Sequence, residues 1–215
     1  CQVTAKSFQL FVDRLSKRLQ EPLPGRSAQA LMAPKPISDK RFEEDPNNPA
    51  RPGGVMVLLY PENGEIYLTL TKRPVYTGAH SGQVSFPGGK VEKMDRDIIH
   101  TALRETEEEI GVANSAIQVI GQLSELFIIA SNFKVYPTVG ILKERPHLVP
   151  DPREVTQVLT PSLTELRDLE RRSTKTMHFP PYTIESPYFD VEGEVVWGAT
   201  AMIISELIHI VDEIY

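Results

Sequence analysis

A glycine pair followed by a glutamate-studded run constrains this chain more than any other feature. Gly88 and Gly89 read as a loop that leads into a segment ending Arg104-Glu105-Thr106-Glu107-Glu108-Glu109-Ile110-Gly111-Val112. Positions three and four apart share one face of a helix, so Glu105, Glu108 and Glu109 converge. Converging carboxylates repel, and such a cluster is rarely kept unless a cation sits in it. Hard divalent cations such as Mg²⁺ take oxygen ligands and usually hold substrate phosphates too. The expectation is a metal-dependent enzyme acting on a phosphate compound. The bland alternative is a solvated helix face, since charge runs usually point to water.

The other side of the same helix carries Ile99, Ala102, Leu103, Thr106 and Ile110 at the spacing of a buried stripe. One face is thus expected to enter a core while the other looks into a site. The helix is predicted over 95–110, with Asp95 or Asp97 as its cap and Gly111 as its stop.

Elsewhere, Phe8, Phe11, Leu15 and Leu19 mark one face of an N-terminal helix that ends at Pro22, Pro24 and Gly25. Residues 33–54 read as an extended, Pro-rich connection. The chain divides into an extension, 1–51, and a domain, 52–215. Strands are predicted at Val55–Tyr60, Ile66–Thr71, Val84–Phe86, Ile117–Leu126, Val135–Leu142, Val155–Thr160, Thr183–Phe189 and Glu194–Trp197, with a hairpin turn at Asn63-Gly64 and another at Glu192-Gly193. Leu163–Arg171 is read as a short helix and Ala199–Val211 as a closing amphipathic one. Few helices among irregularly spaced strands suit a mixed-sheet α/β (α+β) sandwich.

The 215 residues carry a net charge of −6, so no general field attracts nucleic acid, and an anionic substrate needs local help. The short basic patch Arg171, Arg172 and Lys175 reads as a solvated helix end. The only cysteine, Cys1, rules out a disulfide framework within one chain and is compatible with a reducing compartment. No apolar run is long enough to span a bilayer, and the charged, amphipathic start is unlike a secretory signal, so the expected setting is cytoplasmic.

At these residues the chain resembles the Nudix hydrolases. Their box has a glycine, an acidic residue, then Arg-Glu, Glu-Glu and a glycine followed by a bulky apolar residue. Arg104-Glu105, Glu108-Glu109 and Gly111-Val112 match it, with Thr106 at a usually apolar position and Asp95 at the acidic one, one residue further from Arg104 than is general. The stretches Leu70-Thr71-Lys72-Arg73 and His80-Ser81-Gly82-Gln83-Val84-Ser85-Phe86-Pro87-Gly88-Gly89 are similar to the coenzyme A pyrophosphatase branch, which has the same extra residue and Asp; Trp197-Gly198-Ala199-Thr200-Ala201 is similar to it too. Where that branch often has Leu-Arg before the His, this chain has Thr77-Gly78.

The resemblance implies a Nudix α/β/α sandwich with a central mixed β-sheet. It also implies Mg²⁺- or Mn²⁺-dependent hydrolysis of coenzyme A or its derivatives to 4′-phosphopantetheine and adenosine 3′,5′-bisphosphate. Another nucleoside diphosphate derivative (ADP-ribose or NADH) and a non-catalytic binding module are the alternatives. Glu105, Glu108 and Glu109 would hold the metals together with the Gly88 carbonyl, and Arg104 would orient the glutamates. Glu154 is the candidate base, or else a solvated loop carboxylate. Arg73, His80 and Gln83 either contact substrate or simply fix their strand end and loop. Glu92 and Asp95 reach a metal through water or cap the loop, Glu125 is a strand-end charge, and Trp197 is a packed aromatic before it is an adenine platform. Many members of the superfamily pair as homodimers, with no nucleic acid or membrane partner.

Overall fold

The computed structural model describes residues 5–37, 39–77 and 80–215; Cys1 and Gly78 lie outside them. Helix α1 (Ala5–Arg18) buries Phe8, Phe11, Val12 and Leu15, and α2 (Arg26–Gln29) follows the turn at Gly25. The central element is β1 (Arg51–Glu62), a strand whose residues 56–60 are all buried. Side chains alternate along a strand, and here the two sets enter different cores. Met56, Leu58 and Tyr60 pack on one side, while Val57 and Leu59 pack on the other. Burial on both faces explains the unbroken apolar run Val55–Leu59.

Asn63 (φ 47°) and Gly64 (φ 83°) turn the chain into β2 (Glu65–Leu68), antiparallel to β1. The strand predicted over Ile66–Thr71 is not continuous. After Thr69 the chain leaves β1, and β3 (Leu70–Lys72) pairs instead with β4 (Val84–Ser85) and, later in the chain, with Gln157–Leu159. The glycine pair, expected as a loop, forms β5 (Gly88–Lys90), with Gly89 opposite Gly54 on β1. Two facing residues without side chains let the next helix press onto the strands. That helix, α3 (Ile98–Ile110), starts after Asp97, whose carboxylate accepts from the His100 N–H (2.7 Å), and stops at left-handed Gly111. Ala102, Thr106 and Ile110 of the predicted stripe are buried, with Ile99 and Leu103 half-buried. Thr106 tolerates an apolar position because its hydroxyl donates to the Ala102 carbonyl (2.6 Å).

Strands β6 (Gln118–Gln122) and β7 (Leu126–Ile128) both run antiparallel to β8 (Phe133–Ile141), which lies parallel to β1. The result is a six-stranded mixed sheet in the order β2-β1-β8-β6, with β5 and β7 pairing to β1 and β8 off this path. The Gln157–Leu159 segment is β9, and a Ser162–Glu165 capping box opens α4 (Leu163–Arg167). Then β10 (Arg172–Phe179), β11 (Tyr182–Val191) and β12 (Glu194–Trp197) build a separate antiparallel sheet.

Arg171 does end a short 3₁₀ helix (Leu169–Arg171), but Arg172 and Lys175 lie on a strand instead. Arg172 opens β10 and lies over the Phe189 ring, 5.1 Å from its centroid. A run of polar residues (Ser173, Thr174, Lys175, Thr176) hides this strand from an apolar-pattern reading. The closing helix α5 (Gly198–Ile214) is also not simply amphipathic, because it is buried nearly all round. It packs with α1, α2 and α4, opposite to α3 across the sheet. This is the α/β/α sandwich with a mixed central sheet. Among the described residues no helix is long and apolar enough to cross a membrane.

Gly54 tests how tightly α3 is seated. A Cβ there would lie 2.6 Å from the Ile98 carbonyl oxygen and 3.0 Å from the Ala102 nitrogen, both backbone atoms that cannot swing aside. Gly54→Ala is expected to lower stability to urea by about 1–3 kcal/mol. An unchanged unfolding midpoint would contradict this packing.

Candidate active site

Glu105 and Glu109 lie one turn apart on α3 and are 9% and 4% exposed. They face β5 rather than water. A side chain on Gly89 would land inside the Glu105 carboxylate, so only glycine leaves room for it. The Gly88 backbone favours the charged form of the Glu109 carboxylate. Glu154 is exposed, and a carboxylate oxygen from each of Glu105, Glu109 and Glu154 lies within 4.8 Å of the other two. The backbone explains this meeting. Val149 N–H donates to the Ile110 carbonyl and Asp151 N–H to the Glu109 carbonyl (2.9 Å each), which stitches the 149–155 loop to the end of α3. Asp151 then accepts from Glu154 N–H (3.0 Å) and Val155 N–H (2.8 Å), turning Glu154 back toward the helix.

Glu108 is placed differently. Its side chain is 54% exposed and accepts from Arg104 Nη1 at 3.1 Å. Arg104 is a hub. Its Nε and Nη2 grip both oxygens of Asp95 (2.8 and 2.9 Å), Nη2 also reaches the Lys90 carbonyl, and Nη1 bridges Glu105 (3.0 Å) and Glu108. The Asp95 side chain is buried, and its carboxylate also accepts from the Thr101 hydroxyl and the Glu92 N–H. The Arg104 guanidinium holds the Asp95 carboxyl well below the usual carboxylate range. Asp95 is thus an anchor for Arg104, while the helix cap falls to Asp97. The spacing of Asp95 ahead of Arg104 was the available signal for that role. The Glu92 side chain stays exposed, and Glu125 pairs with Lys134 (3.1 Å).

No ion pair reaches Glu109 among the described residues. Burial pushes its carboxyl up to about 8, the nearby Glu105 and Glu154 push the same way, and the Arg73 charge and the Gly88 backbone only partly oppose them. Burial also raises Glu105, against the pull of Arg104. Three converging oxygen donors with excess negative charge have the chemistry of a hard divalent-cation site.

Arg73 is half-buried at the end of β3, and its N–H donates to the Gln83 carbonyl (3.0 Å). His80 Nδ1 and Gln83 Oε1 lie 3.2 Å apart, and Gly82 N–H closes the loop onto the Pro74 carbonyl. His80 and Gln83 therefore brace one loop, and Arg73 stands where its charge is felt by Glu109. Trp197 is half-buried and stacks on Phe179.

Two outcomes follow from this geometry. With metal removed, the Glu109 carboxyl titrates higher in the folded protein than in the unfolded chain. The folded state then binds the extra proton, so this contribution is present at pH 4 and is lost as pH rises through about 8. Thermal unfolding in a chelator should fall over that window and fall less in Glu109→Gln; parallel curves would contradict the burial argument. Arg104→Met strands a buried Asp95, and equilibrium unfolding should register a loss of about 3–5 kcal/mol.

The chain matches the NUDIX domain over residues 50–177. It is 35% identical over 189 residues to Nudix hydrolase 15, mitochondrial, of Arabidopsis thaliana, covering 80% of this chain and 65% of that one. It is 36% identical over 140 residues to a Yersinia enterocolitica protein described as an uncharacterized Nudix hydrolase, NudL, covering 65% of this chain and 71% of the relative. The crystal structure of a MutT/nudix family protein from Enterococcus faecalis superposes with a TM-score of 0.51 at 17% identity, over 83% of this chain and 71% of that one, and shares its fold. This chain spans about two thirds of the Arabidopsis protein's length. With a match covering more than half of its residues, the chain belongs to the NUDIX domain family.

Proposed function

We propose that this protein hydrolyses the pyrophosphate bond of a nucleoside diphosphate derivative, with coenzyme A or its acyl derivatives as the preferred class. The observation that carries the reading is the meeting of Glu105, Glu109 and Glu154 beside β5, within range of the Arg73 charge. The upstream similarity, His80 to Gly89 with Asp95 at its shifted spacing, supports coenzyme A over ADP-ribose or NADH. A cytoplasmic setting is part of the same reading.

Glu105 and Glu109 would hold Mg²⁺ or Mn²⁺, with the Gly88 carbonyl as a further oxygen donor and Glu108 on the open side for a second ion. The bound cation would neutralise the bridging phosphates and polarise an attacking water. The chain's own groups supply the rest. Arg104, held by Asp95, fixes Glu105 and Glu108 so that neither must reorganise during the reaction. Glu154, exposed beside the buried pair, takes the proton of the attacking water. That water's oxygen bonds to one phosphorus as the bridging P–O bond breaks, leaving two monophosphate esters. Arg73 holds the phosphates against the carboxylates, and the loop braced by His80 and Gln83 borders them.

Mass spectrometry of products from coenzyme A, ADP-ribose and NADH, each given with Mg²⁺ or Mn²⁺, tests this directly. Fastest release of 4′-phosphopantetheine and adenosine 3′,5′-bisphosphate is expected. Preference for ADP-ribose or NADH overturns the coenzyme A assignment, and no cleavage of any substrate overturns hydrolysis. Glu109→Gln is expected to lower kcat by at least about 10²-fold. Glu154→Gln should lower kcat about 10²–10⁴-fold. An unchanged rate moves the base elsewhere.

A further inference from the structure

We infer that the ion pair between Asp151 and Arg153 is a positioning clamp that holds Glu154 at the carboxylate cluster, an inference that rests on the proposed role of Glu154 as base and extends it to the loop behind that side chain. Glu154 is exposed, yet one of its carboxylate oxygens stays within 4.8 Å of those of Glu105 and Glu109. Like charges at that range repel, so a carboxylate on an unsupported loop would swing out to water. Its backbone must therefore be held. The ends of the loop are fixed from outside. Asp151 N–H is bonded to the Glu109 carbonyl on α3, and on the far side the Thr156 N–H and hydroxyl both donate to the Lys72 carbonyl of β3 (2.9 and 3.1 Å).

Between those ties a single residue accepts every backbone donor. Pro152 has no N–H to offer. The Asp151 carboxylate accepts from the Arg153 N–H (2.9 Å), and the Asp151 carbonyl accepts from the Glu154 and Val155 N–H groups (3.0 and 2.8 Å). The Arg153 guanidinium then folds back onto the same carboxylate, with Nε 3.1 and 3.2 Å from its two oxygens and Nη2 at 2.6 Å. The Asp151 side chain is only 18% exposed beneath it, while that of Arg153 is 85% exposed. The grip also balances charge. Asp151 would otherwise add a fourth negative group beside three carboxylates. The Arg153 charge offsets it and interacts with Glu154 as well. An ion pair with one partner so exposed contributes little to folding stability. Its effect belongs instead to the reach of Glu154. A base already in place spares the reaction the entropy of finding it, and a displacement of about 1 Å can cost about 10²-fold in rate.

Two substitutions test the clamp in the full chain with Mg²⁺, on whichever of coenzyme A, ADP-ribose and NADH is cleaved fastest. Asp151→Ala removes the carboxylate and keeps the carbonyl, and Arg153→Ala removes only an exposed side chain. Asp151→Ala should lower kcat by about 10- to 10²-fold, and Arg153→Ala should lower it in the same direction, each with KM and the unfolding midpoint unchanged. In a Glu154→Gln background, adding Asp151→Ala should lower kcat no further, because the clamp acts through that one side chain. In ¹⁵N relaxation of Asp151→Ala, the order parameter of the Glu154 amide should fall from about 0.85 toward about 0.6 while that of Ile110 stays high. Native kcat in Asp151→Ala, an equal further loss in the Glu154→Gln background, or an unchanged Glu154 order parameter overturns the clamp. A native rate in Glu154→Gln overturns the base assignment and the clamp with it. A slow Glu154→Gln beside a native rate in Asp151→Ala overturns the clamp alone. The order parameter is read without turnover, so it judges the clamp even where no substrate is cleaved.

Discussion

One guanidinium organises the negative charge on α3. Arg104 directs its donors to Asp95, the Lys90 carbonyl, Glu105 and Glu108, and none reaches Glu109. A buried carboxylate without a paired cation is expensive, and proteins usually avoid the cost by protonating the group. Glu109, raised to about 8, behaves in that way when no metal is present. The site is therefore short of positive charge at the spot where three carboxylates meet. In the account proposed above, this deficit is what a divalent cation and its phosphate ligand resolve together.

That arrangement depends on how closely α3 approaches the sheet. Gly54 and Gly89 face one another across β1 and β5, which lets the helix backbone rest on one and the Glu105 carboxylate on the other. β1 holds its position because it is buried on both sides, with Met56 and Leu58 toward α3 and Val57 and Leu59 toward the core that includes α1 and α5. The loop that delivers Glu154 is bonded by backbone alone to the last turn of α3. Any shift of that helix would thus carry two of the three carboxylates and the support of the third.

Periodicity made the framework legible. The stripe Ala102, Thr106, Ile110, the Asn63-Gly64 turn and the buried face of α1 all follow from local spacing, and the structure contains each. Local spacing could not separate Glu108 from Glu105 and Glu109, since all three share a helix face within one turn. Arg104 draws Glu108 outward, and β5 covers the other two. Nor does any short-range signal bring Glu154 to Glu109, because that meeting is made by backbone bonds between segments far apart in sequence. The same limit explains why Gly88–Lys90 reads as a loop although it pairs with β1. It also explains why Arg172–Phe179, polar on most of its length, reads as no strand at all.

Electron paramagnetic resonance of Mn²⁺ titrated into the protein tests the central claim most directly. Bound Mn²⁺ loses the sharp signal of the hydrated ion. The account predicts saturable loss of that signal in the native protein and severely weakened binding when Glu105 and Glu109 are both changed to Gln, with the fold retained. Equal Mn²⁺ binding by the native and doubly substituted proteins would contradict it.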